Sequence, residues 1–188
     1  EMAANDASVD HVWQSYRKFQ ESVKAYHEIS EKEEWNRLKE IIPEIRKQFP
    51  KSLISVDTYR SSVAEKSINN GADIINDISA GDLDKNMISV IAKHKVPYII
   101  MHMQNTPENM QENPKYNNVV EDITSYFKRK IDQLREKGIE DVIIDPGFGF
   151  GKTLEHNYQI LNNLDKLPKE KEAKTEKEKV EKMHSRMQ

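Results

Sequence analysis

The chain has 188 residues, room for one ordinary domain or slightly more. Lys plus Arg total 29 against 32 for Asp plus Glu, a net charge of −3 without the basic excess of a nucleic-acid binder. The absence of cysteine excludes disulfides and thiolate metal sites and fits a reducing cytoplasm, and no apolar run approaches the roughly 18 residues that span a bilayer.

Residues 1–29 carry Val9, Val12, Trp13, Tyr16, Phe19, Val23 and Tyr26 at steps of three and four, the apolar stripe of an amphipathic helix. Ser30 with Glu33 reads as a capping box that opens a second helix. Its buried face is expected to hold Trp35, Leu38, Ile41, Ile42 and Ile45, and Pro43 should kink or interrupt it. Strands are expected at 53–57 (LISVD), 73–77 (DIIND), 96–103 (VPYIIMHM) and 141–145 (DVIID). Helices should fill 60–69, stopped by Asn70-Gly71, and 84–94. After a loop containing Pro107 and Pro114, a long helix is marked by Val120, Ile123, Phe127, Ile131 and Leu134 and ends at Gly138. A last helix is expected over 154–165.

The near-continuous apolar strands are those of a parallel sheet covered on both faces. Strands alternating with helices give an α/β fold with right-handed crossovers, as four consecutive parallel β–α units over 30–167. The amphipathic helix at 1–29 precedes them. A Lys/Glu-rich segment at 168–188 follows, expected to be a solvated helix or a tail.

Ligands of parallel α/β sheets bind beyond the carboxyl ends of the strands. The four expected strands end in Asp57, in Asn76-Asp77, in Met101-His102-Met103 and in Asp145. Any one of these could be a cap or a turn. Together they suggest one shared rim, because a buried strand has little reason to end in carboxylate without a partner. Two carboxylates and a carboxamide suit a flat heterocycle rich in N–H groups, with Phe148, Phe150 and the methionines as apolar walls. His102 is open between an acid, a base, an orienting group and a hydrogen-bonded core residue.

The phrase DPGFGFGKT at 145–153 imitates a phosphate-binding loop. A P-loop requires its first glycine at 146, where this chain has Pro146, which also removes an N–H donor. Gly147, Gly149 and Gly151 follow G-x-G-x-G rather than the dinucleotide fingerprint. The spacing instead suggests a tight loop that lets two rings reach a ligand.

With the phrases EEWNRLKEIIPEI, ISVDTYRSSVAEKSINNGADIINDISAG, PYIIMHMQNTPENMQENPKY and IIDPGFGFGKTLEHNYQIL in this order, the chain resembles dihydropteroate synthase over about residues 30–167. The resemblance implies an eight-stranded (β/α) TIM barrel of folate biosynthesis. It implies a transferase that joins a dihydropterin methyl diphosphate to para-aminobenzoate and releases diphosphate, assisted by Mg2+. By its motifs, Asp57, Asn76 and Asp145 are the catalytic and pterin-binding set, Met101 joins them in binding, and Phe150 lies towards the aminobenzoate. No metal ligand is assigned in this chain.

The departures are as informative. The family's first strand, whose asparagine serves metal and diphosphate, and its S-T-R-P-G loop have no counterpart in residues 1–29. The later S-R-K and R-x-H phrases are replaced by the Lys/Glu segment, and Asn105 stands where the family usually has glycine. The fold expected is therefore a partial barrel, with two unpaired edges and an apolar interior to be covered by the N-terminal helix or a second copy. The first functional expectation is a dihydropteroate synthase-like pterin-binding protein lacking segments that full activity uses. The alternative is a non-catalytic half-barrel that self-associates or binds a partner.

Overall fold

The computed structural model describes residues 29–105, 110 and 114–168. The helix expected over 1–29 and nearly all of the Lys/Glu segment lie outside the described residues.

Helix α1 (Glu31–Leu38) begins directly after Ser30, and α2 (Ile41–Gln48) follows. The break falls at Lys39-Glu40, so Pro43 lies in the first turn of α2, where a missing N–H costs nothing. The interruption also turns the expected apolar face. Ile42 is buried and Trp35 and Leu38 pack on the core, whereas Ile41 is 53% exposed and Ile45 37%.

Four β–α units then alternate: β1 (Ser55–Asp57), α3 (Ser61–Asn69), β2 (Ile74–Asp77), α4 (Met87–His94), β3 (Tyr98–Met101), α5 (Val119–Glu136), β4 (Val142–Asp145) and α6 (Leu154–Leu161). A short 3-10 turn, Leu164–Lys166, ends the described chain. The strands form one sheet in the order β1-β2-β3-β4, each pair parallel. The strands are shorter than the apolar runs suggested, and His102 and Met103 fall beyond β3.

Local signals place the helix ends. Asn118 caps α5, its side chain accepting from the amides of Val120 and Glu121. Thr153 and His156 form a reciprocal capping box on α6. Helix α5 buries Val119, Ile123, Phe127, Ile131 and Leu134, one face of a 3.6-residue period.

Register sorts the strand residues into two faces. Val56, Ile75, Tyr98, Ile100 and Val142 lie on the face packed in the main hydrophobic core with α4 and α5. Ser55, Asp57, Asn76, Ile99, Ile143 and Asp145 share the opposite face, which is more open; Ile143 is 38% exposed.

Candidate functional site

The open face carries two tiers of side chains at the carboxyl ends of the strands. Asp57 pairs in register with Asn76, and Asn76 with Ile99. Met101 pairs with Asp145 one step further up. Asp57, Asn76, Met101 and Asp145 therefore share one face, because each lies an even number of positions from its register partners there.

Asn76 donates its Nδ2 to Asp57 Oδ2 at 3.2 Å, and its Oδ1 is buried without a partner. A buried acceptor without a partner beside a carboxylate is a group that calls for a donor. The Asp57 carboxyl is held above its ordinary value. Desolvation is the main cause, and the negative charges of Asp77 and Glu34 add to it against the hydrogen bond from Asn76. Asp145 accepts the Gly147 amide at 2.8 Å through Oδ1, which fixes its carboxyl at the mouth of the loop.

Asn76 and Asp77, adjacent in sequence, part company. Asp77 is on the covered face with 0% exposure and accepts four hydrogen bonds. These come from Ser79 N (2.8 Å), Ser79 Oγ (2.7 Å), Gly81 N (2.8 Å) and the Tyr98 hydroxyl (2.6 Å). Its lone pairs are spent on the scaffold.

His102 is likewise drawn into the core. It is 7% exposed, edge-on to Tyr126 at 4.9 Å and tilted against Tyr116 at 6.0 Å. Burial, with the charge of Lys152, pulls its pKa down to about 4, so the imidazole is neutral at pH 7. Its ring packs as a core residue does, but its Nδ1 is buried without a hydrogen-bond partner.

The glycine-rich loop turns inward on itself. Gly147, Gly149 and Gly151 all have left-handed φ, and a Cβ on Gly147 would stand 2.1 Å from the His102 carbonyl oxygen. Gly147 N donates to Asp145, Gly149 N to Asn157 Oδ1 at 3.1 Å, and Phe150 N to Gly147 O at 3.0 Å. Lys152, 4% exposed, donates to three backbone carbonyls. The donors a phosphate would need are committed internally, which agrees with the failed P-loop spacing. Phe150 lies on this loop, half-buried and tied to it through its backbone, while Phe148 is 42% exposed.

Two features were not visible in the sequence. Glu34 of α1 accepts Thr58 Oγ1 at 2.5 Å and pairs with Arg60, bracing the chain just past Asp57; no spacing rule links residues so far apart. The second is the engagement of Lys152, which a GKT phrase suggests will be free. Asn105, the departure from glycine, takes φ 65, and the turn keeps its left-handed residue because asparagine tolerates that region.

A sequence model described as "Pterin binding enzyme" matches residues 20–180. The chain belongs to the pterin binding enzyme family. Among relatives, the dihydropteroate synthase of Haemophilus influenzae is 40% identical over 142 residues, covering 74% of this chain and 51% of that protein. The mitochondrial folate synthesis bifunctional protein of Arabidopsis thaliana is 43% identical over 148 residues, covering 76% of this chain and 27% of its own length. The solved structure of Yersinia pestis dihydropteroate synthase with a sulfonamide drug complex aligns with TM-score 0.71 and 37% identity, over 75% of this chain and 53% of that one. The chain thus spans about half the length of the single-function relatives it matches. The resemblance to dihydropteroate synthase holds, and the four-stranded sheet is part of a TIM barrel. No helix among the described residues is long and apolar enough to cross a membrane.

Proposed function

We propose that this chain carries the pterin half of a dihydropteroate synthase site, with Asp57, Asn76 and Asp145 as its acceptor set and Met101 as an apolar wall. The observation that carries the reading is the gathering of these side chains on one open face, with the Asn76 Oδ1 left unpartnered. The pterin N–H groups donate to the two carboxylates and to Asn76 Oδ1. Asn76 Nδ2 is already committed to Asp57 and orients that carboxyl.

The reaction is condensation of a dihydropterin methyl diphosphate with para-aminobenzoate. The aminobenzoate nitrogen forms a bond to the methylene carbon as the carbon–oxygen bond to diphosphate breaks, and the nitrogen loses a proton. Positive charge that builds on the pterin as diphosphate departs is stabilised by Asp57 and Asp145. No protein nucleophile is required; orientation and fixed charge supply the rate. Phe150 walls the aminobenzoate side.

Among the described residues no group of three or more His, Asp or Glu side chains converges to hold a cation, and magnesium is commonly held by one or two carboxylates together with substrate phosphates. The resemblance places that role on a segment this chain does not match. A cytoplasmic setting is the compartment that the cysteine-free composition favours.

Calorimetry of the full chain with a pterin tests the reading, and Asp145→Ala should remove the heat that the wild type shows. No heat from the wild type at millimolar pterin would sink it. One observation favours the alternative of a self-associating half-barrel. Leu154, Tyr158 and Leu161 form an apolar stripe along α6 and are 61%, 59% and 54% exposed. A stable dimer in light scattering, with no pterin response, would decide for that alternative.

A further inference from the structure

We propose that Lys152 is a positioning residue: its ammonium clamps the glycine-rich loop onto the end of β3 and thereby fixes Asp145 and Phe150. Nζ donates to the carbonyls of His102 (3.0 Å), Gly147 (2.8 Å) and Phe150 (2.9 Å). An ammonium has three donors and no acceptor, so three carbonyls match it one for one. The three lie on two segments that are far apart in sequence. His102 follows β3, one residue past the Met101–Asp145 pair, and its amide donates to the Asp145 carbonyl at 3.1 Å. Gly147 and Phe150 are the two ends of the turn that presents the ring.

The surrounding packing explains why a lysine fills this place. Gly147 lies so close to the His102 carbonyl that no Cβ fits, and Gly151 presses on Gln104, where a Cβ would meet backbone at 3.0 Å. Several carbonyls therefore converge on a small buried space, and a compact cation neutralises their mutual repulsion. Asp145 supplies the opposing charge. It favours the ammonium, while burial draws the amine's pKa down to about 8; the group stays protonated at pH 7. Tyr116 completes the frame by donating its hydroxyl to the Gly151 carbonyl at 2.8 Å. The lysine that resembles a phosphate ligand is thus part of the loop's own skeleton.

The clamp stands without reference to a ligand; its role in presenting Asp145 rests on the pterin-site reading. The chain has no cysteine, so Lys152→Cys creates a single thiol, which can be aminoethylated in denaturant and refolded to restore a lysine-like ammonium. Amide exchange by mass spectrometry should rise at least tenfold in 146–151 and around 102 in Lys152→Met, with α3 and α4 unchanged, and the aminoethylated protein should regain protection. Unchanged exchange in 146–151, or no recovery on aminoethylation, would overturn the clamp. If Lys152→Met does not fold, acetylation of the wild type decides. Lys152 should label at least tenfold more slowly than Lys93, whose side chain is 66% exposed, and equal rates would overturn the proposal. Pterin affinity should fall at least tenfold in Lys152→Met and in unmodified Lys152→Cys, and return in aminoethylated Lys152→Cys; a loosened loop with unaltered pterin affinity would overturn the positioning role. A wild type that binds no pterin refutes the pterin site and leaves the exchange test intact.

Discussion

Asp77→Ala and Asn76→Ala, neighbouring substitutions on one strand, should behave oppositely. The Asp77 carboxylate accepts two amides and two hydroxyls at 2.6–2.8 Å from a position with 0% exposure. Alanine would orphan all four donors. The Ser79 and Tyr98 hydroxyls can rotate towards other acceptors, but the amides of Ser79 and Gly81 cannot. At about 1–3 kcal/mol for each stranded buried donor, the two amides alone cost roughly 2–6 kcal/mol, and about 4 kcal/mol is the central expectation. A chain of this size loses about 2–4 °C per kcal/mol, so Tm should fall by roughly 8–16 °C. The Asn76 side chain makes one hydrogen bond, at 3.2 Å, and its second polar atom has no partner. Its replacement should cost at most about 1 kcal/mol, or a few degrees. Differential scanning calorimetry of both variants reads the melting points, and titration calorimetry with a pterin reads the site. Asn76→Ala should lose pterin affinity at least tenfold, worth about 1.4 kcal/mol, and keep its melting point. The reasoning fails if Asp77→Ala melts within about 2 °C of wild type, or if Asn76→Ala is equally destabilised.

Two further predictions concern the loop and its buried imidazole. The His102 pKa is about 4 when folded against 6.5 for the free group, so the unfolded chain binds more protons between those values and stability falls as pH drops through that window. The gap corresponds to about 3 kcal/mol. His102→Phe, packed on the same Tyr126 edge, should flatten the acid limb of denaturant-measured stability by that amount relative to wild type; parallel curves would refute the assignment. Gly147→Ala drives a Cβ to 2.1 Å from a carbonyl oxygen at φ +70, whereas Gly149→Ala has φ +82 and nothing within 4 Å. Both carry about 1–2 kcal/mol for the left-handed backbone, and the first adds about 1–3 kcal/mol of forced movement, so it should melt distinctly lower. Equal melting points would show that the loop does not press on β3.

The sequence by itself determined the alternation of elements, because each strand is an apolar run, the long helix carries a 3.6-residue stripe that ends at Gly138, and Asn70-Gly71 stops the helix before β2. It also named the strand-end residues Asp57, Asn76, Met101 and Asp145, since polar groups ending apolar runs are conspicuous one strand at a time. What register decided is that these four share a face while Asp77, one position from Asn76, turns to the scaffold; a period of two separates neighbours that composition treats alike. The break before Pro43 likewise turned Ile41 and Ile45 outward, because a proline fits the first turn of a new helix better than the middle of an old one. The state of Lys152 could be settled only by tertiary structure. Its three acceptors come from the end of β3 and from the loop after β4, and those carbonyls converge only when two strands distant in sequence lie side by side.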